Sequence, residues 1–466
     1  MPRLTPLVPA LCALVALATA PRAAHAQLQG AARDSVLRDD RGFTFYGRGP
    51  YRATVPRPDS LLGFAVGDRQ TQYDEQQRVL LAIAGAATDR VRVEPLAVTA
   101  EGRQMRLYVV SAPENIGRLD AIRRDLDRLA DPRGAPAAEL TALADRTPAV
   151  VWFSGSVHGD EVPGFEASMQ LLYHLAASEE PATVAALRRS IVIINPSSNP
   201  DGHERFAAWS NSVAVGSPDP AALEQQRNQP WSVRGRFNHY RFDMNRDVIA
   251  STQQEVQGIM RGMLRWHPMV TADLHGYTPQ YFFPPAARPV NANIGATAER
   301  WLDVLGRGNA SAFDRYGWSY FSRDQYDLYY PGYWDSWPSL TGAIGMTFET
   351  DGGPALLKRR DDGTLLSLRD GIAKHYVASL ATWETTAGRA TERVRDYLRF
   401  RQEAVSAGRA GRARQLVLVP GEDPGRAAEL VTALVRAGIE VRRAGAGFTA
   451  RRAQRLRDAG AAGDRR

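Results

Sequence analysis

A histidine and a glutamate stand three residues apart in His158-Gly-Asp-Glu161, and a second histidine follows far downstream in Asp273-Leu-His275. Two neutral imidazoles and one carboxylate are ligand types of an open zinc site, which keeps a free coordination position for water. Such an ion can acidify water and polarise a scissile carbonyl. The pattern predicts metal-assisted hydrolysis, although a lone His-x-x-Glu also arises by chance.

The segments around the His-x-x-Glu pair predict where it lies in a fold. Residues 150–153 form an apolar run typical of a buried strand, residues 154–157 suit the turn that leaves it, and Pro163 suits the first turn of a helix. The pair is therefore expected on the loop at the carboxyl end of a strand. Open α/β sheets place their functional sites at that edge.

Strand and helix patterns alternate along the chain to about residue 395. Apolar periods of two indicate strands, and periods near 3.6 indicate helices. The alternation predicts an α/β fold with a layered sheet. The predicted strands are 91–98, 105–110, 150–153 and 190–194, and the predicted helices are 70–84, 117–130 and 163–177.

Residues 1–26 have the composition of a secretory signal peptide. Arg3 supplies a basic start, residues 4–20 are apolar but interrupted by proline, and Ala24-His-Ala26 offers a small-x-small cleavage site. A membrane-spanning helix would need about 20 consecutive apolar residues. We therefore predict cleavage near Ala26, a secreted or bacterial periplasmic location, and no stable membrane insertion afterwards.

Composition narrows the class of protein. The 466 residues are enough for one domain with a large hydrophobic core and a second, smaller unit. The single cysteine, Cys12, lies in the predicted signal peptide, so the mature chain must be stable without disulfides. Removing the two arginines of that peptide lowers the formal net charge from +7 to +5. Because no basic run interleaved with aromatics precedes the C-terminal tail, we expect no nucleic-acid partner.

Composition also predicts the segments that follow the signal peptide. Residues 27–60 are polar and rich in turn residues, and indicate an extended lead-in to a domain over 61–395. Residues 396–414 indicate a linker, because 401–414 are rich in Gly, Ala and Arg. The last segment, 415–466, predicts a small βαβ unit with an Arg-rich tail; its strands are 415–419 and 439–442, around a helix at 424–437.

Five motifs between residues 150 and 353 occur in an order that resembles the zinc metallocarboxypeptidases, the family of carboxypeptidases A and B. They are the His-x-x-Glu loop, the turn Asn199-Pro-Asp-Gly202, Arg236 shortly before Asn245-Arg246, a strand ending in His275 and a strand ending in Phe348-Glu349. The resemblance implies a mixed, mostly parallel central sheet with helices on both faces, with the C-terminal βαβ segment as an addition.

The resemblance also implies a metal centre. His158, Glu161 and His275 match the family's zinc ligands, which implies one zinc ion per chain. Asp243, two residues before Asn245, matches the carboxylate that orients the first histidine. Such a partner fixes the tautomer and the orientation of a ligating imidazole.

The remaining matches imply catalytic and binding roles. Glu349 matches the general base, which takes a proton from water and delivers it to the leaving amine. Arg236 matches the arginine that stabilises the developing oxyanion. Asn245 and Arg246 match the pair that holds the substrate's terminal carboxylate, which a guanidinium fork fits with two parallel hydrogen bonds.

Two features of the family have no single match in this sequence. A mobile tyrosine is expected some twenty residues before the catalytic glutamate, and 326–330 holds Tyr326, Tyr329 and Tyr330. The floor of the side-chain pocket is expected near Trp334-Asp335, where Trp334 suits either a shallow pocket or core packing. The sequence leaves both assignments open.

The sequence favours one function and leaves two alternatives open. The leading one is a secreted zinc metallocarboxypeptidase whose partner is a peptide with a free C-terminal carboxylate. The first alternative is a zinc amidohydrolase acting on small N-acyl amino acids or murein peptides. The second alternative is a non-catalytic binding module on the same scaffold, which would lack a ligand or the base, whereas this chain keeps all four. The oligomeric state and the preferred terminal residue are left open.

Overall fold

The computed structural model describes residues 42–411 and 415–449. The chain forms two compact units, the first ending at Val417 and the second beginning at Leu418. The predicted signal peptide and its cleavage site lie outside the described residues. Within the described ranges, no helix combines the length and apolarity that crossing a membrane requires.

An eight-stranded sheet forms the centre of the first unit. Its strands are β1 (Val91–Val98), β2 (Gln104–Val110), β3 (Ala149–Gly155), β4 (Ser190–Asn195), β5 (Val270–His275), β6 (Tyr281–Phe282), β7 (Tyr320–Phe321) and β8 (Ile344–Glu349). They are ordered β1-β2-β4-β3-β5-β8-β6-β7. A separate antiparallel pair consists of β9 (Leu357–Arg359) and β10 (Leu365–Ser367).

The four central strands, β4, β3, β5 and β8, pair in parallel. Antiparallel pairs, β1 with β2, β2 with β4, and β6 with β8, extend the sheet on either side. Strands β3, β4 and β5 are buried along their whole length. Continuous burial suits the near-continuous apolar runs of these strands, which parallel strands covered on both faces require. The predicted mixed, mostly parallel sheet is confirmed.

The helices alternate with the strands along the chain. Their bounds are α1 (Pro58–Leu62), α2 (Tyr73–Ala86), α3 (Pro113–Ile116), α4 (Leu119–Ala130), α5 (Ala137–Arg146), α6 (Val162–Ala177), α7 (Pro181–Arg189), α8 (Pro200–Val213), α9 (Gln254–Trp266), α10 (Ala296–Asp314), α11 (Ser336–Leu340), α12 (Leu368–Gly388), α13 (Ala390–Ala410) and α14 (Pro424–Arg436). The strands and helices that the sequence predicts up to residue 194 are confirmed, with ends displaced by at most a few residues.

Helices cover both faces of the sheet, and alternate side chains of β3 pack against helices on opposite faces. Successive side chains of a strand point to opposite faces. Val151 and Phe153 join the main core, which includes α6 and α12. Trp152 points to the other face, where a Cβ added to Gly262 of α9 would lie 2.9 Å from the Trp152 ring. The glycine therefore lets α9 approach the sheet over a large aromatic side chain.

Two sequence predictions about the C-terminal part need correction. Residues 396–410, predicted as linker, continue helix α13. Alanine and arginine are strong helix formers, and burial of Val394, Tyr397 and Leu398 anchors the start of the helix. In the predicted βαβ unit only the helix forms, as α14, and residues 415–419 and 439–442 are not strands. A parallel strand pair without further strands cannot bury both of its faces.

Candidate metal centre and active site

The site lies at the carboxyl edge of the parallel strands. His158 is on the loop after β3, and Glu161 is the residue that precedes the first turn of α6. His275 is the last residue of β5 and pairs in register with Glu349, the last residue of β8. Because parallel strands end at one edge of a sheet, the His158–Glu161 loop, His275 and Glu349 meet there although they are far apart in sequence.

The three predicted metal ligands converge. His158 Nδ1 lies 2.9 Å from Glu161 Oε1, and His275 Nδ1 lies 2.7 Å from Glu161 Oε2. One ligand atom from each residue falls within 4.8 Å of the others, and all three residues are buried. Two imidazole nitrogens and a carboxylate therefore face one small space from different elements.

In each imidazole, Nδ1 faces Glu161 and the other ring nitrogen, Nε2, faces an aspartate. His158 Nε2 lies 3.0 Å from Asp243 Oδ1, as the resemblance implies, and His275 Nε2 lies 2.6 Å from Asp273 Oδ2. With Nε2 donating to a carboxylate, Nδ1 of each ring keeps its lone pair for a metal. Sequence analysis assigned no role to Asp273, although the spacing Asp-x-His places both side chains on one face of β5.

The charges of Glu161 and the two histidines shift one another's pKa values. Burial alone would lower the pKa of His275, but the carboxylates of Asp273 and Glu161 raise it well above its usual value. Burial would raise the pKa of Glu161, but His158 and His275 lower it well below its usual value. The site therefore holds Glu161 as a charged carboxylate between two imidazoles. Positive charge is favoured at this point, as a divalent cation requires.

The residues fit zinc. Both histidines are buried with Nδ1 toward Glu161 and Nε2 toward an aspartate, and Glu161 turns one oxygen to each ring. Three protein ligands of the N and O type are the number that catalytic zinc sites use. His158, Glu161 and His275 are the residues that would hold the ion.

Gly159 is needed for the close approach of the ligand loop to α8. A Cβ at this position would lie 2.1 Å from the backbone nitrogen of His203. The Gly159 N–H donates to the Gly235 carbonyl at 3.0 Å. The loop is thus held between two neighbouring segments, which fixes His158 and Glu161.

Glu349 lies in the same buried edge. Burial raises the pKa of its carboxyl to about 7, with a further increase from Glu161 and an opposing effect of the two histidines. Its Oε2 accepts a hydrogen bond from the Tyr277 N–H at 3.2 Å. A carboxyl that exchanges its proton near neutral pH suits the role of a general base.

Arg236 reaches the metal-facing side of the ligands. Its guanidinium binds Asp243 Oδ2 at 2.7 Å, and its Nη1 lies 3.3 Å from His158 Nδ1 and 3.8 Å from Glu161 Oε1. Asp243 therefore orients His158 through one oxygen and Arg236 through the other. The arginine is positioned beside the space where a polarised carbonyl would lie.

Asn245 and Arg246 lie on a short 3₁₀ turn, Met244–Arg246, which Asp243 caps by accepting from the Asn245 N–H. The Asn245 amide lies 3.3 Å from His275 Nε2 and accepts from the Trp334 N–H. Arg246 is exposed, its guanidinium stacks 4.5 Å from the centre of the Tyr333 ring, and no described carboxylate pairs with it. The guanidinium donates to the Asn245 carbonyl at 2.8 Å and has no ion-pair partner among the described residues, and its neighbour Asn245 contacts His275.

Both features that the sequence left open have defined positions. Burial, followed by the Glu349 carboxylate, raises the pKa of Tyr326, which places its hydroxyl close to Glu349. Tyr329 and Tyr330 are exposed. Trp334 is buried, and the Asp335 carboxylate accepts from the hydroxyls of Ser336 and Thr347.

His375 is a further residue of the site, and it contacts the backbone of the candidate ligand His275. Its Nε2 donates to the His275 carbonyl at 2.7 Å, and its Nδ1 accepts from the Tyr281 hydroxyl at 2.8 Å. Burial lowers the pKa of His375 to about 3, so the ring stays neutral and both bonds are made. No local motif marks this residue, because its partner is 100 positions away.

A second group of possible ligands, Glu101, Asp201 and His239, is a weaker metal candidate. The guanidinium of Arg103 already binds both carboxylates, Asp201 at 2.7 Å. Two of the three residues are exposed. A cation would have to displace the arginine, so we interpret this group as a surface ion-pair network.

Comparisons with known proteins show the family of this chain. The model of the zinc carboxypeptidase family matches residues 77–354, and the chain belongs to that family. Carboxypeptidase 2 of Trichophyton tonsurans is 27% identical over 135 residues, 29% of this chain and 20% of its own length. Human carboxypeptidase D is 27% identical over 133 residues, 27% of this chain and 8% of its own length.

The matched stretch thus spans about a fifth or less of the length of these curated relatives. Among solved structures, a metallo-carboxypeptidase from Burkholderia cenocepacia is 17% identical with a TM-score of 0.46, and the match covers 69% of this chain and 70% of that one. The predicted resemblance to zinc metallocarboxypeptidases is confirmed by the family match. The roles of individual residues remain predictions.

Proposed function

We propose that this protein is a secreted, zinc-dependent metallocarboxypeptidase that hydrolyses the C-terminal peptide bond of peptides, with one zinc ion per chain. The observation that carries the proposal is the convergence of four elements on one edge of the sheet. Three ligands, a carboxyl with a pKa near 7 and an unpaired arginine meet there. Hydrolysis next to a free carboxylate needs all of these groups.

The bound zinc ion supplies a Lewis acid that polarises a carbonyl and acidifies water. Arg246 binds the terminal carboxylate of the substrate through its guanidinium fork, with the Asn245 amide beside it. Glu349 accepts the proton of the attacking water and delivers it to the nitrogen of the leaving residue. Arg236 donates hydrogen bonds to the oxygen that becomes negatively charged.

Comparison of a peptide free acid with its C-terminal amide tests the anchoring role of Arg246. We expect the wild-type enzyme to cleave the free acid at least about a hundredfold faster, because the amide leaves a guanidinium without its charged partner. Arg246→Gln should remove most of this difference. Arg261→Gln, at an exposed position of α9, is the matched control. Equal cleavage of both peptides by the wild type would instead favour an amidohydrolase of the alternative kind.

Glu349→Gln separates catalysis from metal binding. The variant should keep its zinc and lose kcat by about 10²- to 10⁴-fold, the usual contribution of a general acid–base group. His275→Ala should lose both zinc and hydrolysis. Zinc is measured by elemental analysis of the purified protein and kcat with a chromogenic peptide. A Glu349→Gln enzyme with wild-type turnover would refute the assignment of the base.

The proposed export rests on residues 1–26. Expression in a bacterium with a periplasm, followed by N-terminal sequencing of the protein from each fraction, tests it. We expect Gln27 as the first residue of the exported form. A full-length protein that stays in the cytoplasm would contradict the proposed location without bearing on the catalytic proposal.

A further inference from the structure

A cavity of about 400 Å³ opens directly beside the metal ligands. Its lining consists of Asp160, Glu161, Gln226, Arg227, Gln229, Trp231, Arg234, Arg236 and Tyr277. The lining includes one metal ligand and the proposed oxyanion arginine. It does not include Asn245 or Arg246, where the proposed function places the terminal carboxylate.

This placement defines which part of a substrate would enter the cavity. With its C-terminal carboxylate at Arg246 and its scissile carbonyl between the ligands and Arg236, a peptide must continue away from Arg246. The residues upstream of the scissile bond then pass over Glu161 and Arg236 into the cavity. This step rests on the proposed function.

Positive charge at the cavity mouth is not neutralised. Arg227 and Arg234 are exposed, and neither forms an ion pair with any carboxylate of residues 42–411 or 415–449. Elsewhere arginines bind acids, as Arg48, Arg103 and Arg300 each do with two carboxylates. Unpaired guanidinium groups in a cleft attract anionic ligands, because low-dielectric walls focus the field.

Neighbouring cations add to this charge. The Lys358 amine lies 5.5 Å from the centre of the Tyr277 ring and donates to the Asp351 carbonyl at 3.0 Å. Arg241 stacks on Trp231, and its guanidinium donates to the backbone carbonyls of Arg234 and Ser232. Two arginines thus line the opening, and two further cations lie beside the aromatic side chains of its lining.

The acidic groups in the cavity do not cancel these cations. Glu161 is a metal ligand, and Asp160 is only 2% exposed at the floor. Asp160 Oδ2 accepts from the Gln229 amide at 2.7 Å, whereas its Oδ1 has no hydrogen-bond partner among the described residues. The Asp160 carboxylate is thus buried and turned to Gln229, whereas Arg227 and Arg234 are exposed.

We propose that this cavity, lined by Arg227 and Arg234 together with the aromatic walls Trp231 and Tyr277, binds an acidic side chain upstream of the scissile bond. The preferred substrates are then peptides with a glutamate-type residue in the penultimate or antepenultimate position. The two aromatic side chains are 60% and 53% exposed and offer apolar surface to the methylene groups of that side chain.

Matched peptides that differ only in Glu, Gln or Lys at these two positions test the proposal with the zinc-loaded full chain. We expect kcat/KM for the Glu peptide to exceed that for its Gln isostere by about tenfold at low salt, since each exposed charge pair contributes a severalfold effect. Salt should reduce the ratio by screening. The double variant Arg227→Gln/Arg234→Gln should bring it close to one, and Arg261→Gln should leave it unchanged.

Binding to the zinc-loaded Glu349→Gln variant provides a readout that does not need turnover. Calorimetry with the same peptides should show the same preference for Glu over Gln, lost when Arg227 and Arg234 are also replaced. Two results would overturn the proposal. One is equal binding of the Glu and Gln peptides when Arg227 and Arg234 are intact, and the other is a preference for Glu that persists in the Arg227→Gln/Arg234→Gln variant. Cleavage of all free-acid peptides at equal rates would do so while leaving the carboxypeptidase function intact.

Discussion

At the scale of single residues, the candidate metal ligands are oriented by two further carboxylates, those of Asp243 and Asp273. Asp243 lies within hydrogen-bond distance of His158 Nε2, and Asp273 lies within hydrogen-bond distance of His275 Nε2. Asp243 also binds Arg236. A fixed tautomer spares the site the cost of reorienting a ring when the ion binds. The ligands are therefore prepared by residues from a 3₁₀ turn and from the middle of β5.

Replacing Asp273 by asparagine tests this preparation. Asparagine keeps the shape of the side chain, but its uncharged amide accepts the hydrogen bond from His275 Nε2 less strongly. The affinity for zinc should therefore fall by about 10- to 100-fold. Competition with a chromophoric chelator measures the affinity. Asp74→Asn, at an exposed position in the first turn of α2, is the control and should bind zinc like the wild type. Unchanged affinity in Asp273→Asn would contradict the role of Asp273.

Tyr326 is the tyrosine of 326–330 that the structure places beside Glu349. Removing its hydroxyl in Tyr326→Phe should lower kcat/KM by about tenfold, the effect of one lost hydrogen bond to a charged group. Tyr329→Phe, with an exposed ring, should have no effect. Steady-state kinetics on one free-acid peptide compares them. Equal losses in both variants would argue against a specific role of Tyr326.

At the scale of elements, the position of α6 is as important as the ligands it carries. Helix α6 begins directly after Glu161 and is buried along its whole length. Its Glu166 accepts two hydrogen bonds from Thr71, from the backbone N–H at 2.8 Å and from the hydroxyl at 2.9 Å. The segment before α2 is thus tied to the helix that fixes a metal ligand.

Glu166 also predicts a pH dependence of stability. Burial raises the pKa of its carboxyl to about 7 in the folded protein. Between the ordinary glutamate pKa and that value, the unfolded chain releases a proton that the folded chain retains, so this group lowers stability as pH rises. Glu166→Gln should match the wild type near pH 4.5 and exceed it above pH 7 by about 1 to 3 kcal/mol.

Thermal unfolding of both proteins across this pH range measures the difference. Subtracting the wild-type curve from that of the variant removes the contributions of all other carboxyl groups. A difference that does not grow between pH 4.5 and 7 would show that Glu166 has an ordinary pKa. Thr71 can still donate to the glutamine oxygen, so the variant keeps the link to α6.

At the scale of the whole molecule, zinc should stabilise the first unit. The candidate ligands come from two segments more than a hundred residues apart, and the ion should bind the folded arrangement more strongly than the unfolded chain. Chelation should therefore lower the Tm by several degrees, and added zinc should restore it. The same Tm with and without chelator would argue against a metal held by the folded state. His275→Ala, which lacks a ligand, should not respond to zinc.

The sequence predicted local elements well where their periodicity is strong, as in β1, β2, α6 and β4. It failed at the end of α13, because a segment rich in Gly, Ala and Arg suits both a linker and a helix. Contacts of Val394 and Tyr397 with the rest of the first unit decide between them. It failed also at the strands around α14, since strand formation depends on partners that a local pattern does not reveal.

Residue chemistry and short-range periodicity are enough to predict the candidate ligand types, their order along the chain and the α/β class. The match over residues 77–354 confirms the zinc carboxypeptidase family, and the sheet confirms the α/β class. The three-dimensional arrangement alone shows that Asp273 and His375 contact His275, that Tyr326 lies by Glu349, and that two arginines line one cavity. These relations join residues on different strands and loops, and their distances are set by how the sheet brings its strand ends together.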